Sequence, residues 1–238
     1  MTAAADSEIA VRAHVDTLYL GAGGKSPGLY VLDSATWEVA LVHRYSPGES
    51  IYATCRAEKW VAAGSRGGKI ELFHLDCGPE KADGYPRMTM RDAGNQVTAI
   101  AATERGSLVV SDTGGVYLWP DPKVDTEDCR TLDTSQQVIC ALCASQDEVI
   151  GLSRKGHLLT WAVPAGDLLS VVSVPRPGAK AALTCLVACT PSESVAYPAS
   201  DGTLVRFSPK RGTFTQTPAH RGEAYVVMSS GENLYTAS

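Results

Sequence analysis

Two stretches carry residue types at spacings that could do chemistry. GAGGKS, Gly21 to Ser26, has the composition of a phosphate-holding loop, in which backbone N–H groups and a lysine grip phosphate oxygens. The first glycine of that motif would fall at position 19, which is Tyr19. A helix should then follow, where Pro27 and Gly28 lead into a strand instead. The stretch reads as a strand end and a turn. Cys140 and Cys143 have the spacing of a zinc pair. Their context, VICALCAS, is that of a strand, where side chains three apart point to opposite faces. No shared metal is expected there. Cys185 and Cys189 fall on one face but have no histidine or acidic companion nearby in sequence. With Cys55, Cys77 and Cys129 they read as small buried hydrophobes in a reduced compartment.

Other reactive types are dispersed. His14, His43, His74, His157 and His220 show no ligand spacing, and no Gly-x-Ser-x-Gly elbow occurs. The adjacent carboxylates Glu127 and Asp128 lie in a polar loop and read as solvated. The expectation is a protein that is not an enzyme and that carries no cofactor or metal. Nothing in the 238 residues approaches the roughly 20 consecutive apolar residues that span a bilayer. The start, MTAAADSEIAVRAH, lacks the basic end and apolar stretch of a signal peptide. An intracellular location, cytoplasmic or nuclear, is expected, without membrane contact. A formal net charge of -5 argues against nucleic acid as the main ligand, since phosphate binding calls for a basic surplus.

The elements that hold these residues are short alternating apolar runs separated by Gly, Pro, Ser and Asp, which is an all-β pattern. One pattern recurs: SRGGKIELF (Ser65 to Phe73), SDTGGVYLW (Ser111 to Trp119), SRKGHLLTW (Ser153 to Trp161) and ASDGTLVRF (Ala199 to Phe207), preceded by GKSPGLYVL (Gly24 to Leu32). Aligned on Pro27, Gly68, Gly114, Gly156 and Gly202, the copies are 41, 46, 42 and 46 residues apart. Around each anchor the same four strands are predicted. A small apolar strand comes first, as in IYATC, VTAIAA, VICALC and LTCLVA. A second runs into the glycine turn, and a third leaves it to end on Leu32, Phe73, Trp119, Trp161 or Phe207. A fourth and more polar strand comes last, as in WEVALVHRY and RMTMR. Four strands per repeat of this length predict one blade of a β-propeller, whose faces are buried only when neighbours stack.

In its period, its four-strand grammar and its S-x-x-G-x-[IVL]-x-x-[FW] turns, the chain resembles the WD40-repeat family. Trp119 is followed by Pro120 and Trp161 by Ala162, and no Gly-His pair opens a repeat. The stretch GLYVLDSATWEV also resembles the quinoprotein type of propeller repeat. The resemblance implies a tail over residues 1–8 and a propeller over 9–238, with blades at about 9–48, 49–95, 96–136, 137–180 and 181–223 and a partial blade at 224–238. It further implies membership of a seven-bladed ring, with the remaining blades supplied by a further C-terminal segment or by a partner chain; imperfect closure at six blades is the third alternative.

By propeller grammar, the second-to-third-strand turns and the blade-to-blade loops share one face. That face carries Lys25, Arg66, Arg91, Arg154, Lys155, Arg176, Lys180 and Arg221 against Glu49, Asp92, Asp112, Asp201 and Glu223. A basic face on an acidic chain would accept an acidic or phosphorylated segment. The resemblance implies a non-catalytic scaffold for protein–protein contacts in a multiprotein complex. A narrower form is a substrate receptor, for example for a ubiquitin ligase. A quinoprotein-type cofactor-binding enzyme is a further alternative, as is a structural subunit of a ribonucleoprotein or cytoskeletal machine.

Overall fold

The computed structural model describes residues 9–14, 17–22, 26–33, 36–57, 60–74, 87–92, 95–122, 127–177, 187–189, 194–208, 211–219, 226–230 and 233–237. These form antiparallel sheets in chain order, each built from consecutive strands. The first sheet holds β1 (Ile9–His14), β2 (Thr17–Ala22), β3 (Gly28–Asp33) and β4 (Val39–Arg44). The second holds β5 (Ile51–Ala57), β6 (Trp60–Ser65), β7 (Lys69–His74) and β8 (Arg87–Asp92). In the third are β9 (Val97–Ala102), β10 (Leu108–Asp112), β11 (Val116–Trp119) and the short β12 (Arg130–Thr131). The fourth comprises β13 (Ile139–Ala144), β14 (Glu148–Ser153), β15 (His157–Ala162) and β16 (Leu168–Ser173). The fifth comprises β17 (Val187–Cys189), β18 (Ser194–Pro198), β19 (Thr203–Ser208) and β20 (Thr213–Pro218). The chain then adds a pair, β21 (Val226–Ser230) and β22 (Asn233–Ala237). The architecture is all-β, as the alternating runs require. Each strand pairs with its neighbour in sequence, so every sheet is a meander.

The innermost strands touch one another in series: β1 meets β5, β5 meets β9, β9 meets β13, and β13 meets β17. Such close approach needs small side chains, and Ala53, Cys55, Ala99, Ala101, Ala141 and Cys143 supply them, all buried. The core is therefore a set of wedges between successive sheets. Leu29, Val42 and Tyr45 of the first pack with Val61, Ala63 and Phe73 of the second. Trp119 of the third fills the next wedge against Ala62 and Leu72. Trp161 of the fourth packs on Val109 and Leu118. Phe207 of the fifth packs on Ile150 and Leu152. One large third-strand residue per wedge suits a space that widens outward.

A feature that the alternation of residue types does not announce recurs near the start of the inner strands. Tyr52, Thr98 and Cys140 are each an extra residue in the ladder to the second strand. Such a bulge inverts the facing of the residues beyond it. This corrects the expectation for Cys140 and Cys143. Rather than facing opposite ways, both lie in the wedge between the fourth and fifth sheets. Cys140 Sγ donates to the Leu152 carbonyl at 3.2 Å. Val138, expected to begin this strand, is half-exposed and precedes it. The turn glycines are not alike in backbone conformation. Gly68, Gly156 and Gly202 have positive φ, but Gly114 does not. In that turn Asp112 Oδ1 accepts the N–H groups of Gly114 (2.6 Å) and Gly115 (2.8 Å), and the carboxylate does the work of a left-handed glycine. The expected strand from Leu183 falls mostly outside the described residues.

Candidate functional site

In a meander of four strands, the end of the second, the start of the third and the exit of the fourth lie at one end of the sheet. Backbone bonds tie these parts together, as in Arg66 N–H to Ser50 O, Arg154 N–H to Val138 O and Val174 N–H to Gly156 O. Arg66 stands in the β6–β7 turn, Arg154 and Lys155 stand in the β14–β15 turn, and Arg176 lies just past β16; all four are exposed. Arg176 crosses directly over the β14–β15 turn. A Cβ placed on Gly156 would lie 3.3 Å from both Cα and Cγ of Arg176. Arg154, Lys155 and Arg176 therefore make one local group, with Arg66 two sheets away at the same end. The backbone of Arg91 lies at the end of β8. Lys25, Lys180 and Arg221 lie outside the described residues.

The acidic residues at this end are occupied differently. Glu49 Oε2 accepts the Ser46 N–H at 2.9 Å, and Asp133 Oδ1 accepts the Ser135 N–H at 2.7 Å. Asp112 caps its glycine turn. Asp201 accepts the Thr203 hydroxyl at 2.6 Å and the Thr203 N–H at 3.0 Å. The hydroxyl first, and then the amide, hold the Asp201 carboxyl below its ordinary range. Each carboxylate thus stabilises its own turn. Among the described residues, Arg66, Arg154, Lys155 and Arg176 form no ion pair. Asp133 is not among the acidic residues that the strand grammar places on this face; the DTS triplet, with its Asx-turn geometry, is the sequence signal for it.

The other end of the third and fourth sheets is acidic. Glu104, Asp121, Glu127, Asp128, Asp147 and Asp167 are all exposed there. Arg105 pairs with Asp147 at 3.0 Å and Arg130 with Asp128 at 3.5 Å. The two ends of these sheets therefore differ in sign.

Among the described residues, a nucleophile–base pair is suggested by Ser153, whose Oγ is 3.4 Å from His157 Nδ1. Ser153 is fully buried, and its Oγ accepts the His157 N–H at 3.0 Å. It caps the turn and presents no face to a substrate. Among the described residues, no group of three His, Cys, Asp or Glu side chains could hold a metal ion.

No family model and no curated protein matches the chain. Chains of solved structures match it in large number, 1475 in all, so the architecture is widely shared and does not by itself select a function. One is the crystal structure of the computationally designed Ika8 protein, at 17% identity and a TM-score of 0.64. The match covers 97% of this chain and 68% of that one. At this identity the likeness speaks to the fold alone, a β-propeller type of repeated antiparallel sheets.

Proposed function

We propose that this chain is a non-catalytic interaction platform of the WD40-like kind, which receives an acidic or phosphorylated segment of a partner protein within a multiprotein assembly. The observation that carries the reading is the unequal use of charge at the turn end. There Glu49, Asp112, Asp133 and Asp201 are engaged by hydrogen-bond donors of their own loops, while Arg66, Arg154, Lys155 and Arg176 are exposed without ion pairs among the described residues. Guanidinium groups in that state can form bidentate bonds to a carboxylate or phosphate. Arg154, Lys155 and Arg176 are the proposed core of the contact and Arg66 a second anchor. Lys25, Arg91, Lys180 and Arg221 extend it by sequence position. A substrate receptor is the narrower form of the same proposal.

The test is binding to an array of acidic peptides and their phosphorylated counterparts, comparing the wild type with Arg154→Glu/Lys155→Glu and with Arg66→Glu/Arg154→Glu. The proposal expects capture that weakens with salt and is lost in both variants, with melting temperatures unchanged. Equal capture by wild type and variants would reject it.

A further inference from the structure

From the second sheet to the fifth, one backbone bond recurs at the turn end. Ser50 O accepts the Arg66 N–H at 2.8 Å, Gln96 O that of Thr113 at 3.1 Å, Val138 O that of Arg154 at 3.2 Å, and Arg176 O that of Ser200 at 3.1 Å. Each acceptor immediately precedes the first rung between the inner chain segment and the second strand: Ile51 with Ser65, Val97 with Asp112, Ile139 with Ser153, and Pro177 with Ala199. Ser50, Gln96, Val138 and Arg176 are therefore equivalent positions, one per sheet. Ser50, Gln96 and Arg176 are polar. Val138 is apolar, and it is 48% exposed, whereas the next residue, Ile139, is buried.

A built loop delivers Val138 to this place. Ser135 and Gln136 have φ of +47° and +62°, a left-handed conformation that residues with side chains disfavour. Asp133 Oδ1 accepts the Ser135 N–H at 2.7 Å, and the Gln137 N–H donates to Thr134 O at 2.9 Å. The buried Trp161 anchors the loop from below through its indole N–H to Asp133 O, at 2.7 Å. Strained backbone held in this way is a reason to look for a ligand at the residue it presents.

The neighbours of Val138 select the occupant. A lone exposed valine is ordinary. This one is bonded through its carbonyl to Arg154, and past Lys155 the chain of Arg176 crosses Gly156. Arg176 is fastened from both sides. The Val174 N–H donates to Gly156 O at 2.9 Å, and the Tyr197 hydroxyl donates to Pro175 O at 2.7 Å. Val138, Arg154 and Arg176 thus form a preorganised row with an apolar side chain at one end. An anion alone would leave that end in water. A ligand side chain laid over Val138 would remove apolar surface from water and shield the adjacent charge-assisted bonds.

Resting on the peptide-binding reading above, we infer that Val138 is the specificity-determining residue of that site. The segment received there carries an aliphatic or aromatic side chain close in sequence to its acidic or phosphorylated residue. That side chain sits on Val138, while Arg154, Lys155 and Arg176 hold the anion.

Fluorescence anisotropy tests this with labelled Gly/Glu peptides that carry one phosphoserine. A single leucine is placed one, two or three residues to either side of the phosphoserine, and a leucine-free peptide is the reference. For the wild type, leucine in at least one of these places should tighten binding about fivefold to tenfold. Val138→Ser should abolish that gain and leave the affinity for the reference peptide unchanged. Val138→Ile should keep the gain, with melting temperatures equal throughout. Equal binding of leucine-bearing and reference peptides by the wild type, a gain that survives Val138→Ser, or a loss of reference-peptide affinity in that variant would each overturn the inference and leave the peptide-binding reading in place. Capture of no peptide at all would overturn both.

Discussion

Ser111 Oγ–H donates to the Ile139 carbonyl oxygen at 2.9 Å, a fully buried bond that joins the third sheet to the fourth. Thr98 Oγ1 lies 3.0 Å from the same oxygen and 3.0 Å from Ser111 Oγ. Thr98 is the bulged residue of β9, and Ile139 immediately precedes the bulged Cys140 of β13. The bulges thus turn a hydroxyl of one sheet toward a carbonyl of the next. Removing both donors leaves that carbonyl buried and unpaired. Thr98→Val with Ser111→Ala should cost about 1–3 kcal/mol in urea unfolding, and Ser111→Ala alone should cost less, because Thr98 still serves the oxygen.

The wedge residues make a graded prediction. Phe73, Trp119, Trp161 and Phe207 are at most 2% exposed, whereas Leu32, which holds the same place in the first sheet, is only partly buried. Trp161 also donates its indole N–H to the Asp133 carbonyl at 2.7 Å. Trp161→Ala should therefore cost about 3–5 kcal/mol, and Leu32→Ala clearly less. Chemical denaturation of the two variants checks the order.

Two glycines with left-handed backbones separate conformational strain from collision. Gly48 has φ +93° and open space around a would-be Cβ. Gly156 has φ +84°, and its Cβ would lie 2.5 Å from the Val174 carbonyl oxygen. Gly48→Ala should cost about 1 kcal/mol, from backbone strain alone. Gly156→Ala should cost more and should also displace Arg176, so thermal melting and acidic-peptide binding should both register it. Equal melting temperatures for the two variants would contradict this.

The Asp201 carboxyl is held below its usual range by Thr203. A group whose folded pKa is depressed contributes stability above its unfolded value of about 3.9 and loses it as pH falls through the folded one. Thr203→Val removes the hydroxyl donor and should raise the Asp201 pKa toward the unfolded value, as read by carbon-detected NMR titration. Because Asp201 is exposed, the accompanying change in stability should be small and confined to acid pH.

Much of the fold is legible in the chain. Alternating runs such as WVAAGS and KIELF, punctuated by Gly68, are local signals, and they suffice for the β6–β7 hairpin. The same register places Arg66, Arg154 and Lys155 in turns. Less legible is the company they keep. Arg176 lies over Gly156 because the chain leaving β16 returns across the β14–β15 turn, a contact between residues 20 apart.

By itself, then, the sequence determined the strand grammar, the repeat spacing and the turn positions of the basic residues, because each depends on neighbours within a few residues. Tertiary structure decided what requires a second strand or sheet. Whether Cys140 and Cys143 share a wedge depends on a bulge, whose effect on facing exists only against the partner strand. That Glu49, Asp112, Asp133 and Asp201 are occupied in their turns, while Arg66, Arg154, Lys155 and Arg176 form no ion pair among the described residues, depends on loop geometry. That Trp37, Val39 and Leu41 face solvent depends on where β4 falls in its sheet, because an apolar residue is buried only where another surface meets it.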